Sequence, residues 1–525
     1  KNISPTAEKA FLDTLKNYST IFVSIHQTRS KAADDYGLTE AMKNFIQKLN
    51  GQSRVVLTVF GNPYSLKYFD EIPTVLLGFT EDENAQNLAA QAIFGAIPVS
   101  GKLPVTASAG AKFGQGIETK TIDRLRYDLP ESVGMSSDTL AQLDQLTDEV
   151  VKSGAAPGGQ LLVAKDGVVV YQKAWGFFDY GQSRPVKLTD LYDLASVTKV
   201  AATTISLMKL ADEGKFDVDE PMSKFVPELL RSPGKSGLMA GDILAHQAGL
   251  QAWIPFYKNT LTADGLPNPK IYKNQKEGDF TVEVARDLWM KRSEMDSIWQ
   301  KIYQSPLRPD RKYLYSDLTM YLGAQAVKNL SGLPVNEFAD LHFYRKLGLS
   351  TMGYLPLQRF PADRCAPTEE DNYFRHQRLQ GYVHDMGAAQ LGGVSGHAGL
   401  FSNANDLAVL CQMLLSGGHY NGQNFLKKET VDRWTSRFNG STRRGLGFDM
   451  KETDPAKSKN MSELAPVSTF GHMGFTGNAI WMDPENNLIF IFLSNRTYPS
   501  MENNKLINGD FRPKAQSIVY RAIKH

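Results

Sequence analysis

The hydrophobic positions of this chain fall into two regimes. Over the first hundred residues, short apolar runs at 21–25, 55–60 and 74–78 read as buried strands, and 83–94 carries apolar residues at helical spacing. Such alternation predicts a layered α/β sandwich, a sheet with helices on its faces, over residues 1–110. The stretch that follows is rich in Ala, Gly, Lys and polar residues, which predicts a linker over 111–128. From 129 onward the pattern changes. Ser136, Ser137 and Asp138 are capping residue types ahead of a helix predicted over 139–152. Apolar runs at 160–164 and 168–174 flank Lys165, Asp166 and Gly167, where Asp-Gly suits a tight turn because glycine accepts a positive φ. A second hairpin, 478–482 with 488–493, lies near the other end, ahead of a helix over 513–523. Strands at both ends with a long, largely helical middle predict one sheet built from distant sequence and a helical subdomain.

Composition narrows the function classes. The 525 residues exceed one ordinary core, and 42% hydrophobic with 22% charged residues fits a globular protein. A net charge of +2 without a Lys/Arg run calls for neither nucleic acid nor an acidic membrane surface. The apolar run 488–493 is far too short to span a bilayer. Cys365 and Cys411 allow one disulfide or two free thiols, which leaves the redox compartment open. The chain begins with Lys and runs at once into structured sequence, so we expect a piece of a longer protein.

The chemistry concentrates in Ser196-Val197-Thr198-Lys199, at the start of a helix predicted over 195–213. Helical positions i and i+3 share a face, so Ser196 Oγ and Lys199 Nζ can meet. Serine is a weak nucleophile that needs a base, and a desolvated lysine can serve if its pKa falls. The same spacing recurs at Ser206/Lys209 and at Ser232/Lys235, so the motif alone decides nothing. Its company does. Tyr315-Ser316-Asp317 precedes a helix predicted over 318–330, and Gly471-His472-Met473-Gly474-Phe475-Thr476-Gly477 leads into the final hairpin.

This order, Ser-x-x-Lys, then Tyr-x-Asn/Asp, then Lys/His-x-Gly, resembles the serine β-lactamases and penicillin-binding proteins. The nearest branch is that of class C β-lactamases, D-aminopeptidases and esterases. The segment Asp242-Ile243-Leu244-Ala245-His246-Gln247-Ala248-Gly249-Leu250 is similar to a turn of the same branch. The resemblance spans about 129–525 and implies an α+β domain, an antiparallel sheet with helices on both faces. It implies that Ser196 attacks an acyl carbon while Lys199 and Tyr315 share the proton as a coupled pair. It also implies an oxyanion hole from the Ser196 and Phe475 N–H groups. His472 stands where β-lactamases usually carry Lys, and Asp317 where they usually carry Asn. Both departures favour peptide, amide or ester substrates over β-lactams. Asp317 has a plainer alternative as a helix cap. Gly474, Thr476 and Gly477 are expected at the substrate. So are His384, Asp385 and His397, whose residue types would also suit a metal; we expect pocket lining, with no metal and no cofactor. Aromatic residues over 253–310, including Trp253, Phe256, Tyr257, Trp289 and Trp299, form either a cap over the site or core.

A second resemblance lies in the first hundred residues. Val55-Val56-Leu57-Thr58-Val59-Phe60-Gly61-Asn62-Pro63-Tyr64, Ala92-Ile93-Phe94-Gly95 and Ser100-Gly101-Lys102-Leu103-Pro104-Val105 resemble the C-terminal α/β domain of family 3 glycoside hydrolases, especially β-N-acetylglucosaminidases. That implies a partner in the same polypeptide, a (β/α)8 glycosidase barrel lying outside this chain. It points the acyl hydrolase toward a small-molecule substrate from the cell wall, a muropeptide or a D-amino-acid-containing peptide, and toward a periplasmic or extracellular location. A muramyl-peptide amidase is the first expectation, with a carboxylesterase and a non-catalytic peptidoglycan-binding module as alternatives.

Overall fold

The computed structural model describes residues 4–524 apart from 27, 30 and 458. It divides into two compact units, Lys1–Arg126 and Tyr127–His525.

In the first unit, helix α1 (Pro5–Leu15) leads into strand β1 (Thr20–Ile25), helix α2 (Glu40–Asn50), strands β2 (Arg54–Val59) and β3 (Thr74–Leu77), and helix α3 (Glu83–Ile93). The strands form a parallel sheet in the order β1-β2-β3, with Val56 opposite Phe22 on one side and Thr74 on the other. Thr39 and Asp82 cap α2 and α3 through their side-chain oxygens, which is why those helices start where they do. Ile46 and Leu49 of α2 pack on Val55, Leu57 and Val59. The segment expected as a linker over 111–128 behaves differently as far as Ile122. Gly114 N–H donates to Leu103 O, Thr119 N–H to Val99 O and Ile122 N–H to Gly95 O, so this stretch is hydrogen-bonded back along the first unit. Its polar composition reflects exposure rather than freedom.

The second unit opens with α4 (Gln142–Lys152), β4 (Gly158–Lys165) and β5 (Val168–Gly176), followed by α5 (Ile205–Asp212). The middle then contains a small sheet of β6 (Tyr272–Lys273), β7 (Phe280–Ala285) and β8 (Leu288–Lys291) before α6 (Leu318–Ser331) and α7 (Ala404–Leu415). The chain closes with β9 (Asp449–Met450), β10 (Phe470–Met473), β11 (Ala479–Asp483), β12 (Leu488–Ser494) and α8 (Phe511–Arg521). The central sheet runs β9-β10-β11-β12-β4-β5, antiparallel throughout. Its two ends of sequence meet at β12 and β4, where Ser494 faces Gly159. Leu143, Val150, Ile518 and Val519 of α4 and α8 pack with Leu161, Val163, Trp481 and Phe490 on one face. Helix α7 packs against β4, β11 and β12. With both faces covered, every residue of β12 is buried, and alternation gives way to a continuous apolar run.

The middle is therefore less helical than its sequence suggested. The strands β6–β8 hold Val282, Val284 and Met290 in a second core with Tyr257 and Phe374. Phe256 and Tyr257 are core residues, Trp253 is half-exposed, and Trp289 lines a cavity of about 550 Å³ together with Tyr382.

Candidate active site

The segment bearing Ser196 is not one regular helix. A 3₁₀ turn, Ala195–Val197, gives way to a π-helical stretch, Lys199–Thr204, and only then to α5. Ala195 has φ of 45°, a left-handed conformation that costs a non-glycine residue of order 1 kcal/mol or more. Asp193 holds that turn: its carboxylate accepts from Ala195 N–H at 2.8 Å and from His384 N–H at 2.6 Å. Its backbone oxygen accepts from Thr476 Oγ1 and Asn478 Nδ2, each at 2.8 Å. The nucleophile turn, the 384 loop and the closing strand thus converge on one residue. Burial raises the Asp193 carboxyl above its ordinary range, against the pull of those two N–H donors.

The geometry around Ser196 is compact. Lys199 Nζ donates to Ser196 Oγ at 2.8 Å, and Tyr315 OH donates to the same oxygen at 2.9 Å. Lys199 also donates to His397 O at 3.3 Å and lies 2.7 Å from Asp317 Oδ1. Burial pushes the Lys199 ammonium toward losing its proton, but Asp317 and Tyr315 outweigh it, and its pKa ends above the ordinary lysine value. Tyr315 is raised as well, by burial first; Lys199 and Arg444 oppose this, and Asp317 adds to it. The resting pair is an ammonium and a phenol. The carboxylate of Asp317 beside Lys199 favours this protonated state. The capping role considered for Asp317 is absent: it makes no side-chain cap to α6, and its carboxylate turns to Lys199.

His472 is buried inside the sheet on β10, and its ring atoms are fully assigned. Nδ1–H donates to Met473 O at 2.7 Å, and Nε2 accepts from Arg444 Nη1 at 3.1 Å, since a carbonyl only accepts and a guanidinium only donates. Burial, aided by the Arg444 charge, drives its pKa down to about 3. His472 is thus a neutral imidazole, and the nearest fixed cation on that side is Arg444. Arg444 donates through Nε to Tyr313 OH at 3.1 Å and lies 3.4 Å from Asp449.

The remaining expected residues divide. Gly474 lets the closing strand approach the nucleophile turn: a Cβ there would sit 2.5 Å from Leu194 O. Phe475 follows it, half-exposed, its ring 5.6 Å from His384 and under Arg496. Thr476 spends its hydroxyl on Asp193 O, and Gly477 has φ of 110°, so both help build the strand connection. His397 is buried, donates Nε2–H to Asp385 Oδ1 at 2.8 Å and stacks on Tyr321; its backbone oxygen is what reaches Lys199. The Asp385 carboxyl is lowered: burial opposes this, but His397 and the Ala388 N–H prevail. His384 lies 3.0 Å from Glu369, outside hydrogen-bond geometry. Asp317, Asp385 and His397 offer possible ligand atoms within 4.8 Å of one another, and the Lys199 ammonium lies beside Asp317. Both cysteines are buried free thiols.

The profile of the family described as Beta-lactamase matches residues 143–509. This chain belongs to the β-lactamase family. A "Putative D-alanyl-D-alanine carboxypeptidase" of Escherichia coli K12 is 34% identical over 393 residues, 70% of this chain and 85% of that protein. A protein of the same description from Salmonella typhimurium is 33% identical over 401 residues, 72% of this chain and 87% of that protein. Among solved structures, EstCE1, "a hydrolase with promiscuous acyltransferase activity", shares 18% identity at a TM-score of 0.54, covering 73% of this chain and 99% of its own. A penicillin-binding protein homologue from Caulobacter crescentus shares 20% identity at 0.50, over 69% and 93% respectively. These two likenesses establish the β-lactamase-like fold, and the family makes the chain a serine hydrolase. Among the described residues no helix is long and apolar enough to cross a membrane.

Arg444 and Asp193 are not marked by any motif in the sequence. Arg444 lies 28 positions before His472 in a loop, and the pairing of Asp449 with Gly471 across β9 and β10 is what brings the two together. No spacing rule along the chain encodes that contact.

Proposed function

We propose that this hydrolase works through an acyl-enzyme at Ser196 on cell-wall-derived amides, the bond between N-acetylmuramic acid and its first L-alanine being the preferred one. The observation that carries the mechanism is the pair of donors, Lys199 and Tyr315, converging on one serine oxygen. Loss of one proton from this pair to solvent creates the base. Ser196 Oγ–H then gives its proton to the pair as Oγ attacks the acyl carbon, and the Ser196 and Phe475 N–H groups hold the oxyanion. The same proton passes to the leaving amine nitrogen as the C–N bond breaks. Water repeats the sequence on the acyl-enzyme and restores Ser196.

The muramyl preference rests on the likeness of the first unit to family 3 β-N-acetylglucosaminidases, whose trimming of wall fragments would leave muramyl peptides. We take that unit as the partner of a glycosidase barrel in the same polypeptide, and the location as periplasmic or extracellular. The description of the bacterial relatives as putative D-alanyl-D-alanine carboxypeptidases favours a second bond, that between D-alanines.

The test is mass spectrometry of the protein and its Ser196→Ala variant with N-acetylmuramyl-L-alanyl-D-isoglutamine and with a peptide ending in D-Ala-D-Ala. Free N-acetylmuramic acid from the unmodified protein alone supports the first bond. Release of D-alanine alone moves the reaction to the second. Equal turnover by Ser196→Ala would sink the mechanism.

A further inference from the structure

Tyr315 is enclosed by charge. Lys199 Nζ lies 4.9 Å from its ring centroid and the Arg444 guanidinium 5.0 Å. The rings of His246 and His472 lie 4.9 Å and 5.9 Å away. His246 Nδ1 accepts Ser316 N–H at 3.1 Å, so its neutral imidazole carries the proton on Nε2, a buried donor without an acceptor among the described residues. Burial holds His246 well below the usual histidine pKa, and His472 is likewise neutral. The charged groups facing the phenol are therefore Lys199, Asp317 and Arg444. Lys199 is already matched by Asp317 at 2.7 Å. Arg444 remains as the cation that bears on Tyr315 from the side of the closing strand.

We propose that Arg444 is a positioning residue for proton transfer, supplying beside Tyr315 the positive charge that the neutral His472 on the closing strand does not. A guanidinium against the phenol ring favours phenolate over phenol, both by simple Coulomb attraction and because a phenolate ring attracts a cation more strongly than a phenol ring does. A guanidinium is charged at any working pH, which a lysine or histidine side chain would not guarantee. Its own position is fixed from three sides, by Tyr313 OH, His472 Nε2 and Asp449. His472, in turn, acts as an acceptor that aims the guanidinium. Its neutrality is what allows it to accept. The inference rests on the serine-hydrolase chemistry of the family and not on the identity of the wall substrate.

The experiment is the pH profile of Ser196 acylation, read as the rate of labelling by a fluorophosphonate and as kcat/KM for p-nitrophenyl acetate, in Arg444→Gln and Arg444→Lys. Removing the variant's guanidinium leaves buried Asp449 paired, because Arg443 Nε and Nη2 hold it at 2.7 and 3.1 Å, so Arg444→Gln is expected to fold. We expect Arg444→Gln to move the rising limb of the profile to higher pH, so that the rate at pH 7 falls by about tenfold or more while the alkaline plateau stays within a few-fold. Arg444→Lys restores the limb in large part. A uniform loss at every pH, or a limb that stays in place, would overturn the proposal and leave Arg444 as packing. Recovery of the plateau at high pH in Arg444→Gln reports that the variant is folded, and labelling does not depend on any muramyl or D-alanyl bond.

Discussion

Replacing Asp317 by Asn probes the resting state of the site directly. Asp317 Oδ1 lies 2.7 Å from Lys199 Nζ, and the two side chains differ in exposure, Lys199 being fully buried and Asp317 18% exposed. Two unit charges at that separation attract by about 6 kcal/mol at an effective dielectric of ~20, an upper bound before the cost of desolvating both groups is subtracted. If a quarter to a half of this survives, the ammonium is favoured by about 1.5–3 kcal/mol, which is roughly a 10- to 100-fold bias against the deprotonated pair. Asp317 also raises Tyr315, so its removal eases proton loss from both partners. The asparagine oxygen can still accept from Lys199, so position is kept while charge is lost. For an activated ester, whose leaving group needs no proton, Asp317→Asn should acylate about tenfold faster at pH 6 or below, where the deprotonated pair is scarce. An amide behaves differently. Its leaving nitrogen must be protonated, and the pair that gives up its proton more readily at rest returns it with less driving force. The ratio of p-nitrophenyl acetate to muramyl-alanine cleavage should therefore rise in the variant. Stopped-flow acylation and steady-state amide turnover across pH 5–9 measure both. A slower ester reaction at low pH, or an unchanged ester-to-amide ratio, would refute the assignment of Asp317 as the group that keeps the site proton-rich.

Three further outcomes are expected. His472 has a folded pKa of about 3 against an ordinary 6.5, so the unfolded chain binds the extra proton; stability is complete above about pH 6.5 and falls as the pH drops toward 3. Between pH 6.5 and 5 that single group removes about 2 kcal/mol, read as a lower urea midpoint at pH 5, and His472→Asn should flatten this dependence. Gly474→Ala would push a Cβ to within 2.5 Å of Leu194 O, so the closing strand must retreat; we expect a loss of roughly 100-fold in acylation with about 1–3 kcal/mol of stability. Asp193→Ala strands the Ala195 and His384 N–H donors in a buried setting, costing about 1–3 kcal/mol for each group left unpaired, and a variant that retains full acylation and stability would remove Asp193 from the positioning role.

How far the sequence disclosed this molecule depended on the range of each interaction. The hairpin at Asp166-Gly167 and the strand over 488–493 were legible because turn chemistry and burial act within a few residues. Ser196, Lys199, Tyr315 and Asp317 were recoverable as an ordered set, and the structure brings all four together. The helix predicted over 195–213 forms over nearly all of that length, but its first half is 3₁₀ and π-helical rather than α. Close approach of other segments to Lys199–Thr204 is not written in that segment: Thr203 Oγ1 bonds Gly396 O, and Tyr344 OH bonds Ala201 O. Likewise β6–β8 read as part of a helical middle because part of their burial comes from Phe374, which is distant in sequence. Protonation was the least legible property. It depends on which charges lie within a few ångströms, and Arg444 reaches the site only through the pairing of β9 with β10.

The two departures from the β-lactamase pattern have a common electrostatic consequence. Asp in place of Asn at 317 adds one negative charge beside Ser196, and neutral His in place of Lys at 472 removes one positive charge. Arg444 returns a single positive charge, but Asp449 lies 3.4 Å from it and claims part of that field. Asp385, with its lowered pKa, is a further carboxylate within 4.8 Å of Asp317. Counted over these positions alone, less positive charge stands here than with the usual Asn and Lys. A D-alanyl-D-alanine terminus carries its carboxylate one residue from the scissile bond, and a β-lactam carries one beside its ring. The amide between a muramyl lactyl group and L-alanine has no charge at that distance when the peptide continues. Under the proposed function, these two substitutions are the features that would separate the muramyl bond from the D-alanyl bond, and mass spectrometry with both substrates tests that separation.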